Sequence, residues 1–233
     1  MALILIGYSA CPLTRAAFEA QGHDVWTCDL LPARDNSPKH LQMDVWQALR
    51  AYRWDMAVLH PMCTYLTVSA AWAYNDPDYE KYPGVGYHQK IKPGTLVGAE
   101  RRAAQQVELE NFRELLALPF PVAIENPARS YVCTAIRKPD QCVQPYEFGD
   151  DASKITGFWL NGLPKLVIDP NKRVAGRIVQ HNGKSVERWA NQTDSGQNCL
   201  SPGANRWLER SATYPGIAAA MGEQWGAWIS NNK

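Results

Sequence analysis

Four short apolar runs decide what this chain can fold into. ALILIG at 2–7, DVWTCD at 24–29, MAVL at 56–59 and PVAIEN at 121–126 are each only four to six residues long. ALILIG and MAVL are continuously apolar, and runs this short read as strands buried on both faces rather than as helices. The segments between them carry helical patterns. In CPLTRAAFEAQGH, Pro12 suits a first turn, Leu13, Ala16, Ala17 and Ala20 form one face, and Gly22 marks the end. VWQALRAYRWD precedes the third of these runs, and LVGAERRAAQQVELENFRELLAL precedes the fourth. Strand and helix in alternation give right-handed parallel crossovers. The expected fold is α/β, a Rossmann-like, mainly parallel twisted sheet with helices on both faces. Residues 1–145 are expected to form this core, 146–212 a short β and loop region, and 213–233 a terminal helix packed on the core.

Ligands of such sheets collect at the carboxyl ends of the strands, so the residues there are the candidates. The first strand ends in Gly7-Tyr8-Ser9-Ala10, the second in Asp29-Leu30, and Asp44 follows a short third strand in QMDV. An acid at the end of the second strand suits ribose hydroxyls, or is a turn acid ahead of Pro32. The fourth strand stops at His60-Pro61, because proline has no amide to donate to a ladder. Cys63-Thr64-Tyr65 follows. Cys63 reads either as a nucleophile at a strand end or as a small buried hydrophobe. Cys11, at the start of the first helix, is its rival as a reactive thiol. The fifth strand ends in Glu125-Asn126-Pro127. Apolar neighbours are expected to raise the Glu125 pKa and make it a proton donor; the alternative is a carboxylate capping the helix ARSYVCTAIR.

Composition narrows the classes. The net charge of +1 supplies no general field for duplex nucleic acid, although a local basic patch would suffice. Six cysteines without a C-x-x-C pair lack the spacing of a structural zinc site, and no metal is expected. The first residues have neither a signal peptide's pattern nor a membrane span's length, so a reducing, cytoplasmic setting is expected. The nine tryptophans point to an aromatic core, with some available for interfaces or stacking. The tyrosine-, proline- and glycine-rich stretch at 69–95 is expected to be a lid. There Tyr82, Tyr87, His88, Lys90 and Lys92 are candidates for holding a base or phosphate, or belong to a solvated insertion. The polar, glycine-rich stretch at 169–207 shows no sustained periodicity and is expected to be a recognition region or a surface loop. YPGIAAAMGEQWGAWI closes the pattern as an apolar helix.

In their order, ILIGYSACPLTRAAFEAQGHDVWTCDL, QMDV, HPMCTYL, IENPA and YEFGDDASKITGFWL resemble the cytosine carbon-5 DNA methyltransferase family, most closely its short phage and prophage members. The resemblance covers the chain to about residue 165, together with the terminal helix. It implies S-adenosylmethionine held by Gly7, Tyr8, Ser9, Ala10, Asp29, Leu30, Asp44 and Pro61. It also implies Cys63 as the nucleophile, Glu125 on the base, and Asn126 and Thr64 as positioning groups. Tyr65, Lys154, Thr156 and His88 would contact the substrate, cytosine in DNA. The chain departs from the pattern in having few glycines after Gly7, Met62 before the cysteine, Pro127 after Glu-Asn, and a short recognition region. Two alternatives stay open: an enzyme using the same Cys/Glu pair on a free pyrimidine nucleotide, and a non-catalytic module binding a nucleotide or a protein.

Overall fold

The computed structural model describes residues 1–76, 94–200 and 212–232. Seven strands form one sheet: β1 (Leu3–Gly7), β2 (Asp24–Asp29), β3 (His40–Gln42), β4 (Met56–Leu59), β5 (Val122–Pro127), β6 (Gln141–Val143) and β7 (Thr156–Asn161). Their spatial order is 3-2-1-4-5-7-6. Strands β1 to β5 are parallel, whereas β7 runs antiparallel to β5 and β6 on either side of it. The chain winds outward through β2 and β3, then returns to β4 on the other side of β1. That reversal opens a crevice at the carboxyl ends of β1 and β4.

Helices cover both faces, and successive strand residues alternate between two cores. Ile4, Ile6, Met56 and Val58 pack with Phe18 of α1 (Pro12–Glu19) and with the carboxyl-terminal helical segment. That segment comprises α5 (Pro215–Ala220), a π-helical turn (Met221–Trp225) and α6 (Gly226–Asn231). Leu5, Ala57, Leu59 and Ile124 face α2 (Val45–Ala51), α3 (Gly98–Leu116) and the short α4 (Val132–Ala135). Coverage of both faces explains why the strand sequences lack polar alternation. A Cβ on Gly222 would lie 2.5 Å from the Ala17 carbonyl oxygen, so glycine lets the terminal helix rest directly on α1. Buried His23 ties the same elements together. Its Nδ1 accepts from the Ala2 amide at 3.2 Å, so in the neutral ring Nε2 carries the proton donated to the Gly226 carbonyl at 3.0 Å.

The stretch after residue 169 is more regular than its composition promised. It contains an antiparallel hairpin of β8 (Arg177–His181) and β9 (Lys184–Arg188). Asn182 and Gly183 turn it with φ of 52° and 73°, the paired left-handed conformation that Asn-Gly favours. Buried Trp189, just after β9, stacks on Tyr146 with ring centroids 3.9 Å apart and anchors the hairpin to the sheet end of the molecule. No helix among the described residues is long and apolar enough to cross a membrane.

Candidate functional site

Strand register assembles the site. Gly7, Leu59 and Ile124 lie side by side on β1, β4 and β5, so Tyr8, His60 and Glu125 emerge together on the next level of the carboxyl rim. The His60 amide still donates to the Gly7 carbonyl at 3.0 Å, and buried Pro61 ends the ladder. His60 Nδ1 meets Glu125 Oε2 at 3.0 Å, with the two side chains 11% and 19% exposed. Because β7 is reversed, its first residues reach this rim. Thr156 pairs with Pro127, and its hydroxyl donates to the Lys154 carbonyl at 3.1 Å. His60, Glu125, Lys154, Thr156 and Tyr214 thus line one narrow cleft over Phe158, Ile217 and Met221, enclosing about 10 Å³. That is room for about one water, so a ring enters only when the walls part.

The charge state of Glu125 reverses the sequence expectation. Burial pushes its pKa up, but the Lys154 charge and the hydrogen bond from His60 outweigh burial and hold the carboxyl at about 2. The expected proton donor is an anion at neutral pH. Its own strand supplies the apolar neighbours; the groups that ionise it arrive from β4 and from the approach to β7.

Asn126 is buried, and its Nδ2 donates to the Pro61 carbonyl at 3.2 Å, linking the ends of β5 and β4. Asn126 Oδ1 is buried with no hydrogen-bond partner among the described residues. Cys63 is exposed, which removes the reading of it as a core hydrophobe, whereas Cys11 is buried. The Cys63 carbonyl accepts from the amides of Leu66 and Thr67 at 3.0 and 2.9 Å, forming a tight turn. The Cys63 side chain is not among those lining the Glu125 cleft; it stands on the neighbouring turn.

That turn rests on a residue the sequence reading passed over. Arg101 on α3 is 3% exposed, and its Nη2 donates to the Thr64 carbonyl at 2.8 Å. Its guanidinium faces the rings of Tyr65 and Tyr74 at 5.2 and 4.8 Å, so the Tyr65 ring, expected on substrate, lies against Arg101. Gln105 donates to the Tyr65 carbonyl at 3.1 Å. An arginine in a charged helix looks like solvated surface, and nothing local marks it as buried. Arg101→Lys replaces a flat, forked donor with a point charge and should lower stability by about 2 kcal/mol in urea unfolding. An unchanged midpoint would show that the turn does not depend on this contact.

The other described candidates lie at the ends of β1, β2 and β3. A Cβ on Gly7 would lie 2.6 Å from Leu59 Cδ2, so this glycine serves strand packing. Tyr8 makes the sharp turn with φ of 57°, its hydroxyl bonds to Asn111 Oδ1 at 3.3 Å, and burial foremost pushes its pKa to about 12. The Ser9 amide donates to the Cys28 carbonyl at 3.0 Å, and the buried Ala10 accepts from the Arg34 amide at 3.1 Å. Asp29 Oδ1 accepts from the Leu31 amide at 2.9 Å, and Asp44 caps α2 through the Trp46 amide at 2.9 Å. Leu30 is 71% exposed. His88 and the other lid candidates Tyr82, Tyr87, Lys90 and Lys92 lie outside the described residues.

No protein-family model matches the chain, and no curated protein does. Functional assignment therefore rests on the geometry. An anion held between two basic groups can grip a planar heterocycle by its edge, and an exposed thiol stands on the adjoining turn. Beside that turn an open groove of about 530 Å³ runs between Val68, Ala128, Cys133, Pro139 and Cys142, with Arg129 and Lys138 along it.

Proposed function

We propose that the chain is a transferase that modifies cytosine at carbon 5, with Cys63 as nucleophile and S-adenosylmethionine as methyl donor. The observation that carries this reading is Glu125, ionised and nearly buried between Lys154 and His60, on a strand tied to the Cys63 turn. A carboxylate accepts from an exocyclic amine and repels a ring carbonyl, so it favours cytosine over uracil. Attack of the Cys63 thiolate on ring carbon 6 forms a C–S bond and moves the ring electrons to carbon 5, which becomes nucleophilic. Glu125 and Lys154 hold the base edge while that charge develops. Carbon 5 would take the methyl group that S-adenosylmethionine supplies, the donor leaving as its thioether; loss of the carbon-5 proton then restores the ring double bond as the C–S bond to Cys63 breaks.

The residues at the ends of β1, β2 and β3 fit the proposed donor. Asp29 and the exposed Asp44 offer acceptors for ribose hydroxyls and an adenine amine, and Leu30 offers bare apolar surface for the adenine face. When bound there, the sulfonium group would supply the electrophilic methyl. The groove with Arg129 and Lys138 suits the nucleotide next to a flipped base, which favours DNA over a free nucleotide.

A 5-fluorocytosine oligonucleotide tests the reading, with S-adenosylmethionine present. Fluorine cannot leave as a cation, so intact mass should show a stable protein–DNA adduct that peptide mapping places on Cys63. Cys63→Ser should abolish it. An adduct on Cys11, or one that survives Cys63→Ser, would overturn the mechanism.

A further inference from the structure

We infer that His60 determines which edge of a pyrimidine the cleft accepts. This rests on the pyrimidine reading above and adds a residue that neither the sequence motifs nor that mechanism assign. A carboxylate only accepts hydrogen bonds, so at 3.0 Å from Glu125 Oε2 the Nδ1 atom of His60 must carry a proton. In the neutral ring the lone pair therefore sits on Nε2. Nε2 is buried, has no hydrogen-bond partner among the described residues, and belongs to a side chain lining the cleft. A buried nitrogen left this way costs stability unless a ligand or water completes it.

The titratable groups sharing the cleft with His60 are Glu125 on β5, Lys154 ahead of β7 and Tyr214 ahead of α5. Glu125 fixes the tautomer, Lys154 has donors only, and the Tyr214 hydroxyl can donate or accept. The residues lining the cleft then carry two acceptors, the Glu125 carboxylate and His60 Nε2. A base edge bearing an amino group satisfies them, whereas a keto edge places oxygen against both. His60 is thus a specificity residue through Nε2 and a positioning residue through Nδ1.

His60→Asn separates the two roles. An asparagine Nδ2 can replace Nδ1–H toward Glu125 but offers nothing in place of Nε2. Calorimetric titration of the full chain with dCMP and with dUMP should show wild type preferring dCMP tenfold or more, and His60→Asn losing that preference while its thermal unfolding stays the same. Nitrogen-15 NMR of histidine-labelled protein should find the neutral His60 ring protonated on Nδ1 and bare on Nε2. An Nε2-protonated neutral ring, or a dCMP preference retained in His60→Asn, would overturn the inference. Wild type that forms the Cys63 adduct yet shows no dCMP preference would overturn this inference alone. Wild type that binds neither nucleotide and forms no adduct would overturn both readings.

Discussion

Glu125→Gln should lower stability at pH 7 by on the order of 3 kcal/mol, and the deficit should vanish in acid. The Glu125 carboxyl is held at about 2 in the folded protein, against an ordinary 4.5. A carboxyl whose folded value is depressed contributes its full stabilisation above the unfolded value and loses it as pH falls through the folded one. The contribution should therefore be complete above about pH 4.5, decline below it and be gone near pH 2. Glutamine has no proton to bind in that window. It also leaves Lys154 and His60 around a site without an anion, and breaking a nearly buried pair from one side is the damaging way to break it. Urea unfolding of both proteins at steps from pH 7 to pH 2 gives the comparison. Parallel curves across the whole range would mean that Glu125 is not ionised by its neighbours.

Gly216→Ala should cost roughly 3 kcal/mol or more, a fall in Tm of about 10 °C for a chain of this size. The added Cβ would stand 2.1 Å from the Phe148 carbonyl oxygen and 2.9 Å from Asp150 Oδ2. Both are on the segment against which α5 starts, and the Gly216 amide donates to that same Asp150 oxygen at 3.0 Å. Room can be made only if α5 backs away, taking Tyr214 from the wall of the cleft and Ile217 and Met221 from its floor. The proposed base capture by Cys63 should fall with the stability. Gly183→Ala is the contrast: φ is +73° and nothing lies within 4 Å, so the cost is backbone strain of about 1 kcal/mol. Calorimetric melting of the two variants tests the argument, and equal losses would contradict it.

The sheet was legible because both its faces are covered, which leaves β1 and β4 as uninterrupted apolar words and β2 and β5 as largely apolar ones. Their ends were legible for the same reason, since Asp29, His60-Pro61 and Glu125-Asn126 break those words. Lys154 and Thr156 came from the resemblance rather than from pattern, and the structure does bring them beside Glu125. What stayed hidden depends on neighbours distant in sequence. His60 looked like a strand stop, and its partner is 65 residues away across the β4–β5 register. The ionised state of Glu125 was misread because the groups that hold it, Lys154 and His60, come from other parts of the sheet. Arg101 had no local signature at all. The β8–β9 hairpin is different: the Asn182-Gly183 signal stood in plain view, outweighed by the polar composition around it.

The turn after β4 and the loop after β5 are stitched together. Thr67 and Ser130 form a β-bridge, the Tyr131 amide donates to the Leu66 carbonyl at 2.7 Å, and Asn126 reaches Pro61. The thiol and the carboxylate are thereby carried on one mechanical piece. Local opening must release both segments in a single event, so their amides should share one opening free energy in hydrogen exchange. A ligand gripping Glu125 alone would slow exchange around Cys63 by the same factor, without touching it.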